Sequence, residues 1–334
     1  MRIHCLLSLG VVLFLMNNVY SQGCCSGGSA SPIAGGISQG VLNKSQLEIA
    51  PNFQYDQSSK FFAQDRDTTA MFNSLSSSYL YTRIAYGLSE KLTISLESGF
   101  FINKTQIGLS ADTIRTSGIG DLIIFPRYEV YKKSTARKST ELVVGLGLKI
   151  PIGSNNDSTV IYTDPISSKE YYQIAPPTVQ LTNGSHDFIF YSFFFNNYLT
   201  KKVRVFANSV YVLKGWNSLG QKFGDYASVS LFVSKTVFKR LGITAQLKGE
   251  WVGEMQTDKL VDMVAFYNVY PESTGGRKLF ITPQIIYSYK SFTAFALSDI
   301  PLYQYLNGSQ IGSQFQITTG ISYKINCVKE KIAE

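Results

Sequence analysis

The stretch Leu92-Thr93-Ile94-Ser95-Leu96-Glu97 decides the fold: Leu92, Ile94 and Leu96 take every second position, and Thr93, Ser95 and Glu97 fall between them. Side chains of an extended strand point alternately to opposite sides, so the segment is a strand with one apolar and one polar face. The same period sets Leu142, Val144, Leu146 and Leu148 against Glu141, Gly145, Gly147 and Lys149. It recurs in Ile243, Ala245 and Leu247 against Thr244, Gln246, Lys248 and Glu250. A two-faced strand suits a soluble sandwich, polar face outward, or a membrane barrel whose polar face lines a lumen. Strand length and loop rhythm separate these two architectures.

Working outward from Leu92, the pattern predicts strands over Ser45 to Tyr55, Ser74 to Gly87, Lys91 to Asn103, Gly118 to Lys132, Ser139 to Ile152 and His186 to Leu199. It predicts six more over Lys202 to Lys214, Gly224 to Val237, Arg240 to Val252, Lys278 to Tyr289, Ser291 to Pro301 and Gly312 to Ile325. Such segments are about twice the usual ~5 to 6 residues of globular strands and meet the ~9 to 11 that cross a bilayer at a tilt. The links alternate in length. Tight turns at Leu88-Ser89-Glu90, Thr200-Lys201, Phe238-Lys239 and Lys290 and a modest one at Lys133 to Lys138 trade places with longer loops, the longest at Gly153 to Ser185. Short turns at one end and long loops at the other describe an up-and-down antiparallel β-barrel with periplasmic turns and external loops. The expected class is therefore all-β, a transmembrane barrel of about 12 strands, an even count that puts both chain ends on the periplasmic side.

Composition agrees. The 334 residues hold 22 Phe and 21 Tyr but only 31 Lys plus Arg and 23 Asp plus Glu, a surface suited to lipid rather than water. Beyond the first residues no run of ~18 apolar residues occurs, which rules out a spanning helix. Tyr79, Tyr81, Tyr86, Phe100, Phe101, Tyr128, Tyr131, Trp216, Trp251, Tyr287 and Tyr289 fall near strand ends and are expected to form girdles at the headgroup level. The net charge of +8 comes from scattered Lys and Arg, so no nucleic-acid partner is implied.

At the N-terminus, Arg2 precedes an apolar run from Cys5 to Met16, and Val19-Tyr20-Ser21 offers a cleavage site. This is the build of a secretory signal, with the mature chain starting near Gln22. The expected organisation is residues 1–21 as signal peptide, 22–44 as a Gly/Ser-rich periplasmic tail, 45–325 as the barrel and 326–334 as a polar C-terminal tail.

Little in the chain carries catalysis. Ser185-His186-Asp187 are adjacent, and on a strand adjacent side chains alternate faces, so they do not assemble a triad. Gly118-Ile119-Gly120-Asp121 lacks the following helix and the Lys-Ser/Thr pair of a phosphate-binding loop; a bulge or close backbone approach, with Asp121 at the rim or lumen, is the better reading. No enzyme activity and no cofactor are expected. The vicinal Cys24 and Cys25 leave three readings open: a tether or disulfide with Cys327, a thiolate site for a soft ion such as Cu(I), or lipidation at Cys24, for which Ser21-Gln22-Gly23 is a poor lipobox. Glu97, Asp121, Glu141, Lys149, Arg204, Lys248 and Glu250 are the candidates for lumen electrostatics, either selecting solutes or only stapling the interior.

Ser117-Gly118-Ile119-Gly120-Asp121-Leu122 leading to Pro126-Arg127-Tyr128, then Gly145-Leu146-Gly147-Leu148-Lys149-Ile150-Pro151-Ile152-Gly153, resemble the transporter-like outer-membrane barrels named for the meta-pathway of phenol degradation. Asn183-Gly184-Ser185-His186-Asp187-Phe188 and Ile300-Pro301-Leu302-Tyr303-Gln304-Tyr305-Leu306-Asn307-Gly308 resemble the same family in order and spacing, so the likeness spans most of residues 80 to 325. Gly23 to Gly28 and the polar end Asn326 to Glu334 depart from its pattern. The resemblance implies a single-chain barrel passing small, often hydrophobic molecules across the outer membrane of a Gram-negative bacterium. The expected function is passive diffusion of such solutes through the lumen, with the Gly153 to Ser185 loop folding inward as a constriction. The competing expectation is a non-transporting barrel that binds partners at its surface or anchors a periplasmic complex through its tail. Expected partners are membrane lipid and a small solute.

Overall fold

The computed structural model describes residues 40–110, 112–261, 263 and 270–327. The expected signal peptide, Cys24, Cys25 and the last seven residues lie outside these. The barrel strands are β1 (Gln46–Ser58), β2 (Ser74–Gly87), β3 (Leu92–Ile107), β4 (Leu122–Ser134), β5 (Lys138–Ile150) and β6 (Asp187–Tyr198). They continue as β7 (Val203–Leu213), β8 (Tyr226–Thr236), β9 (Leu241–Val252), β10 (Gly276–Tyr289), β11 (Phe292–Ile311) and β12 (Phe315–Asn326). Each pairs antiparallel with its sequence neighbours, and β1 pairs with β12, so the sheet closes on itself without an edge.

Closure explains the alternation. Along β8, Ser228, Ser230, Phe232 and Ser234 are buried, whereas Val229, Leu231 and Val233 are more than half exposed on the outer wall. Along β9, Thr244, Gln246 and Lys248 turn inward and Ile243 and Leu247 outward. An apolar outer face with a polar inner face is the inverse of a soluble protein and is stable only in lipid. Among the described residues no helix is long and apolar enough to cross a membrane.

The tight turns lie together at one end of the barrel. There Val237 N–H donates to Leu241 O (2.9 Å) and Leu88 N–H to Leu92 O (2.8 Å). Tyr289 pairs with Phe292 around a two-residue turn whose first residue, Lys290, takes a positive φ of 54°. The longer loops stand at the other end.

Three departures from the predicted pattern have local causes. The strand expected from Gly118 is broken: Thr113–Ile119 pairs with the outer half of β3, and β4 starts only at Leu122. Gly118, at φ 155°, allows this kink, and a Cβ there would sit 2.7 Å from Leu181 Cδ1. Second, the segment from Leu302 to Ile311, expected as a loop, continues β11 as strand. Pro301 is tolerated because the partner strand shifts register opposite it, between Leu279 and Phe280. That extension pairs with a short strand Phe61–Gln64 inside what was expected to be a plain loop. Third, Tyr79, Tyr81 and Phe101 are not girdle residues. They point inward at 7 %, 5 % and 5 % exposure and pack on Leu181, because they share the phase of Arg83 rather than that of Leu80 and Ile84. Tyr128, Tyr131, Tyr287, Tyr289, Trp216 and Trp251 do lie exposed on the wall.

Candidate functional site

The inner wall carries charge on nearly every strand, and closure gathers that charge into three clusters. In the first, Glu48 of β1 accepts from Arg83 Nη2 of β2 at 3.3 Å and from the Ser322 hydroxyl of β12. Beside it, Glu97 of β3 accepts from the Tyr81 hydroxyl and from Ser95 Oγ (2.7 Å). Arg127 of β4 completes the group over the Phe125 ring, 5.8 Å from its centroid. All these side chains are buried. Ion pairing in so dry a place requires satisfied partners, and the hydroxyls of Tyr81, Ser95 and Ser322 supply them.

In the second cluster, Lys149 of β5 sits between Asp121 (2.8 Å) and Asp187 (3.0 Å), and Asp187 also reaches Lys214 (3.3 Å). Lys149 and Asp187 are direct cross-strand partners. The third joins β8, β9, β10 and β11: Lys248 Nζ meets Asp299 (2.6 Å) and Glu250 (3.0 Å), Thr282 donates to Asp299, and Tyr226 donates to Glu250 (3.1 Å).

Two segments enter the interior from its ends. From the turn end, Leu42 N–H donates to Thr93 Oγ1 (2.8 Å) and Val41 N–H to Glu141 Oε1 (3.4 Å), with Val41 packed against the inward cluster of Phe125, Ile189 and Phe193. From the loop end comes the second half of the Gly153 to Ser185 loop. Its first half is an exposed hairpin, Ser158–Thr163 with Glu170–Ile174, turned at Asp164, whose carboxyl is held below its usual range by the Ser167 hydroxyl and the Ile166 N–H. Its second half folds into the barrel: Ala175 and Val179 pack with Phe61, Phe72, Leu75 and Ile311, and Leu181 with Tyr79 and Phe101. Lys104 Nζ donates to Gln180 O (2.6 Å) and Thr178 Oγ1 to Gln106 Oε1 (2.6 Å), fixing it to β3.

Above this inward segment, at the loop end, lies a cavity of about 780 Å³ walled by Phe61, Met71, Phe72, Leu109, Met255 and Ile311. Gln106, Thr178 and Gln310 give it a few polar points. An apolar concavity with sparse polar groups is the usual form of a small-molecule site.

Each of the seven lumen candidates projects into the interior, and six of them meet a partner: Glu97, Asp121, Glu141, Lys149, Lys248 and Glu250. Arg204 stands apart: among the described residues its guanidinium has one hydrogen-bond partner, Thr236 Oγ1 at 3.5 Å. Sequence reasoning passed over Glu48, Arg83, Arg127, Asp187, Lys214 and Asp299. Arg83 and Arg127 share their phase with Tyr81 and Phe125, so a strict apolar-against-polar reading of those strands hides them. Ser185 and Asp187 face inward and hydrogen-bond (2.7 Å), while His186 is exposed on the opposite side. Cys327 is exposed at the turn end, where its N–H donates to Ser45 O (2.9 Å). No group of three or more His, Cys, Asp or Glu placed to hold a metal occurs among the described residues.

No family model matches the chain, and no curated protein does. Among solved structures, the COG4313 outer membrane channel from Pseudomonas putida F1 is similar over 87 % of this chain and 99 % of its own, at 14 % identity and a TM-score of 0.64. The translocator domain of the autotransporter NalP from Neisseria meningitidis aligns over 86 % and 91 % at 12 % identity and 0.45. A Pseudomonas aeruginosa FadL homologue aligns over 84 % and 90 % at 7 % identity and 0.42. The first of these likenesses, together with the closed ring of strands β1 to β12, makes this chain an all-β barrel of the outer-membrane type.

Proposed function

We propose that the protein is an outer-membrane channel for small, largely apolar solutes, exported through its N-terminal signal and seated with its turns in the periplasm. The observation that carries this is the apolar cavity of about 780 Å³ at the loop end. A barrel that only anchors other proteins needs no such vestibule. A solute taken up there would pass the Val179 segment and the lumen clusters toward the turn end, which makes that segment and residues 41–42 the two constrictions. The fold of a bacterial outer-membrane channel supports the reading, as does the resemblance in residues 117–153 and 183–188.

The filled interior favours a second reading, a closed barrel whose loops or tail bind other proteins. Planar-bilayer recording and solute uptake into liposomes decide between them. The channel reading expects discrete conductance steps or faster uptake of apolar solutes than empty liposomes allow. A barrel sealed in both assays overturns it.

A further inference from the structure

The turn end of the lumen holds a second, smaller pocket, of about 230 Å³. One wall is aromatic: Phe193, Phe195 and Phe206 line it, with Phe195 6.1 Å from Phe193 and 6.2 Å from Phe206 between ring centroids. Phe232 holds the Phe206 ring in place, stacked at 4.3 Å. The adjoining lining is polar: Arg204, two residues along β7 from Phe206, with its cross-strand partner Ser234 and with Gln284.

Two features there lack a partner of the expected kind. Arg83, Lys149, Lys214 and Lys248 each meet a carboxylate inside the barrel, but Arg204 meets none among the described residues. Directly across the β7–β8 pair from it, Ser234 is 2 % exposed and its hydroxyl has no hydrogen-bond partner. Buried hydroxyls are normally satisfied, and a half-buried guanidinium normally finds an anion. Both groups line the same cavity.

We infer that this pocket binds a small aromatic carboxylate. The planar guanidinium of Arg204 presents two parallel N–H donors in the geometry a carboxylate accepts, and the Ser234 hydroxyl adds a third. The ring of the ligand lies against Phe193, Phe195 and Phe206, where edge and face contacts favour another aromatic over an aliphatic chain. Inorganic anions would leave that wall unused. The volume falls below the ~300 Å³ at which drug-sized pockets begin, which limits the ligand to a single ring. Lys239 and Arg240 at the mouth add positive potential that draws an anion in. The inference deepens the channel reading by naming the solute class, while binding itself does not require transport.

The test is calorimetric titration of the purified full chain in detergent with benzoate and, as an uncharged single-ring analogue, benzyl alcohol. Benzoate is expected to bind, with benzyl alcohol weaker by roughly tenfold to a hundredfold, the range of a charge-assisted hydrogen bond. Arg204→Met is expected to erase that preference, and Ser234→Ala to reduce benzoate affinity while leaving benzyl alcohol unchanged. Equal binding of both ligands to the native chain, or an unaltered preference in both variants, overturns the inference. So does native protein that conducts ions in planar bilayers but binds no benzoate, which leaves the channel reading standing. Benzoate selectivity in a barrel that proves sealed supports the site and sinks the channel instead.

Discussion

Arg83 Nη2 of β2 lies 3.3 Å from Glu48 Oε2 of β1, inside the barrel, with the two side chains 7 % and 0 % exposed. Both charges are shielded from bulk solvent. Replacing Glu48 with Ala strands the guanidinium, and the expected loss is about 3 to 5 kcal/mol of barrel stability. The double replacement Glu48→Leu with Arg83→Leu removes both charges and is expected to cost less than either single change. Urea unfolding of protein refolded into lipid vesicles measures both.

On the channel reading, the half of the long loop packed inside the barrel is expected to act as the outer constriction, and its exposed hairpin is not. Removing residues 159–173, most of which are exposed, and closing the gap with Gly-Ser is expected to leave single-channel conductance unchanged. Val179→Lys puts a charge where Phe61, Phe72 and Leu75 now pack, and is expected to unseat the segment and raise conductance several-fold. Equal conductance in both variants would show that the segment is not in the path.

Leu42, 2 % exposed, is tied by its N–H to Thr93 inside the turn end, where the channel reading puts the inner constriction. Leu42→Asp brings an unpaired carboxylate into that site. The expected result is a larger and noisier conductance with the barrel fold intact, read by planar-bilayer recording beside heat-modifiable migration on gels.

Leu231 lies near the middle of β8 on the outer wall, 57 % exposed, and Phe238 lies in the following turn. If the wall meets lipid, Leu231→Arg costs about 2 to 4 kcal/mol and Phe238→Arg only about 0 to 1. Folding titrations into vesicles separate the two. Equal, small costs would mean that the wall is not membrane-embedded.

The twelve strands and their order were legible because alternation and turn spacing are local. Strand β2 is bounded as the pattern of Ser74 to Gly87 has it, and the tight turns fall where the chain is short of residues. What the alternation hides is phase. Tyr79 and Tyr81 look like girdle residues until the closed barrel places them with Arg83, facing Leu181.

Residue type and spacing therefore pointed to a two-faced, up-and-down barrel with an apolar outside, because period two, bilayer-length strands and links alternating short with long fit a membrane barrel better than a soluble sandwich. Only the tertiary structure decided what fills it. Glu48 meets Arg83 by adjacency, but Lys248 meets Asp299, 51 positions away, across the intervening β10, Ser322 meets Glu48 through ring closure, and Lys104 meets Gln180, 76 away, through an inward loop. Such meetings depend on how far each strand is staggered against its neighbour, a property of the whole ring rather than of any one segment. That stagger also puts Arg204 and Ser234 in one pocket with Phe193, Phe195 and Phe206.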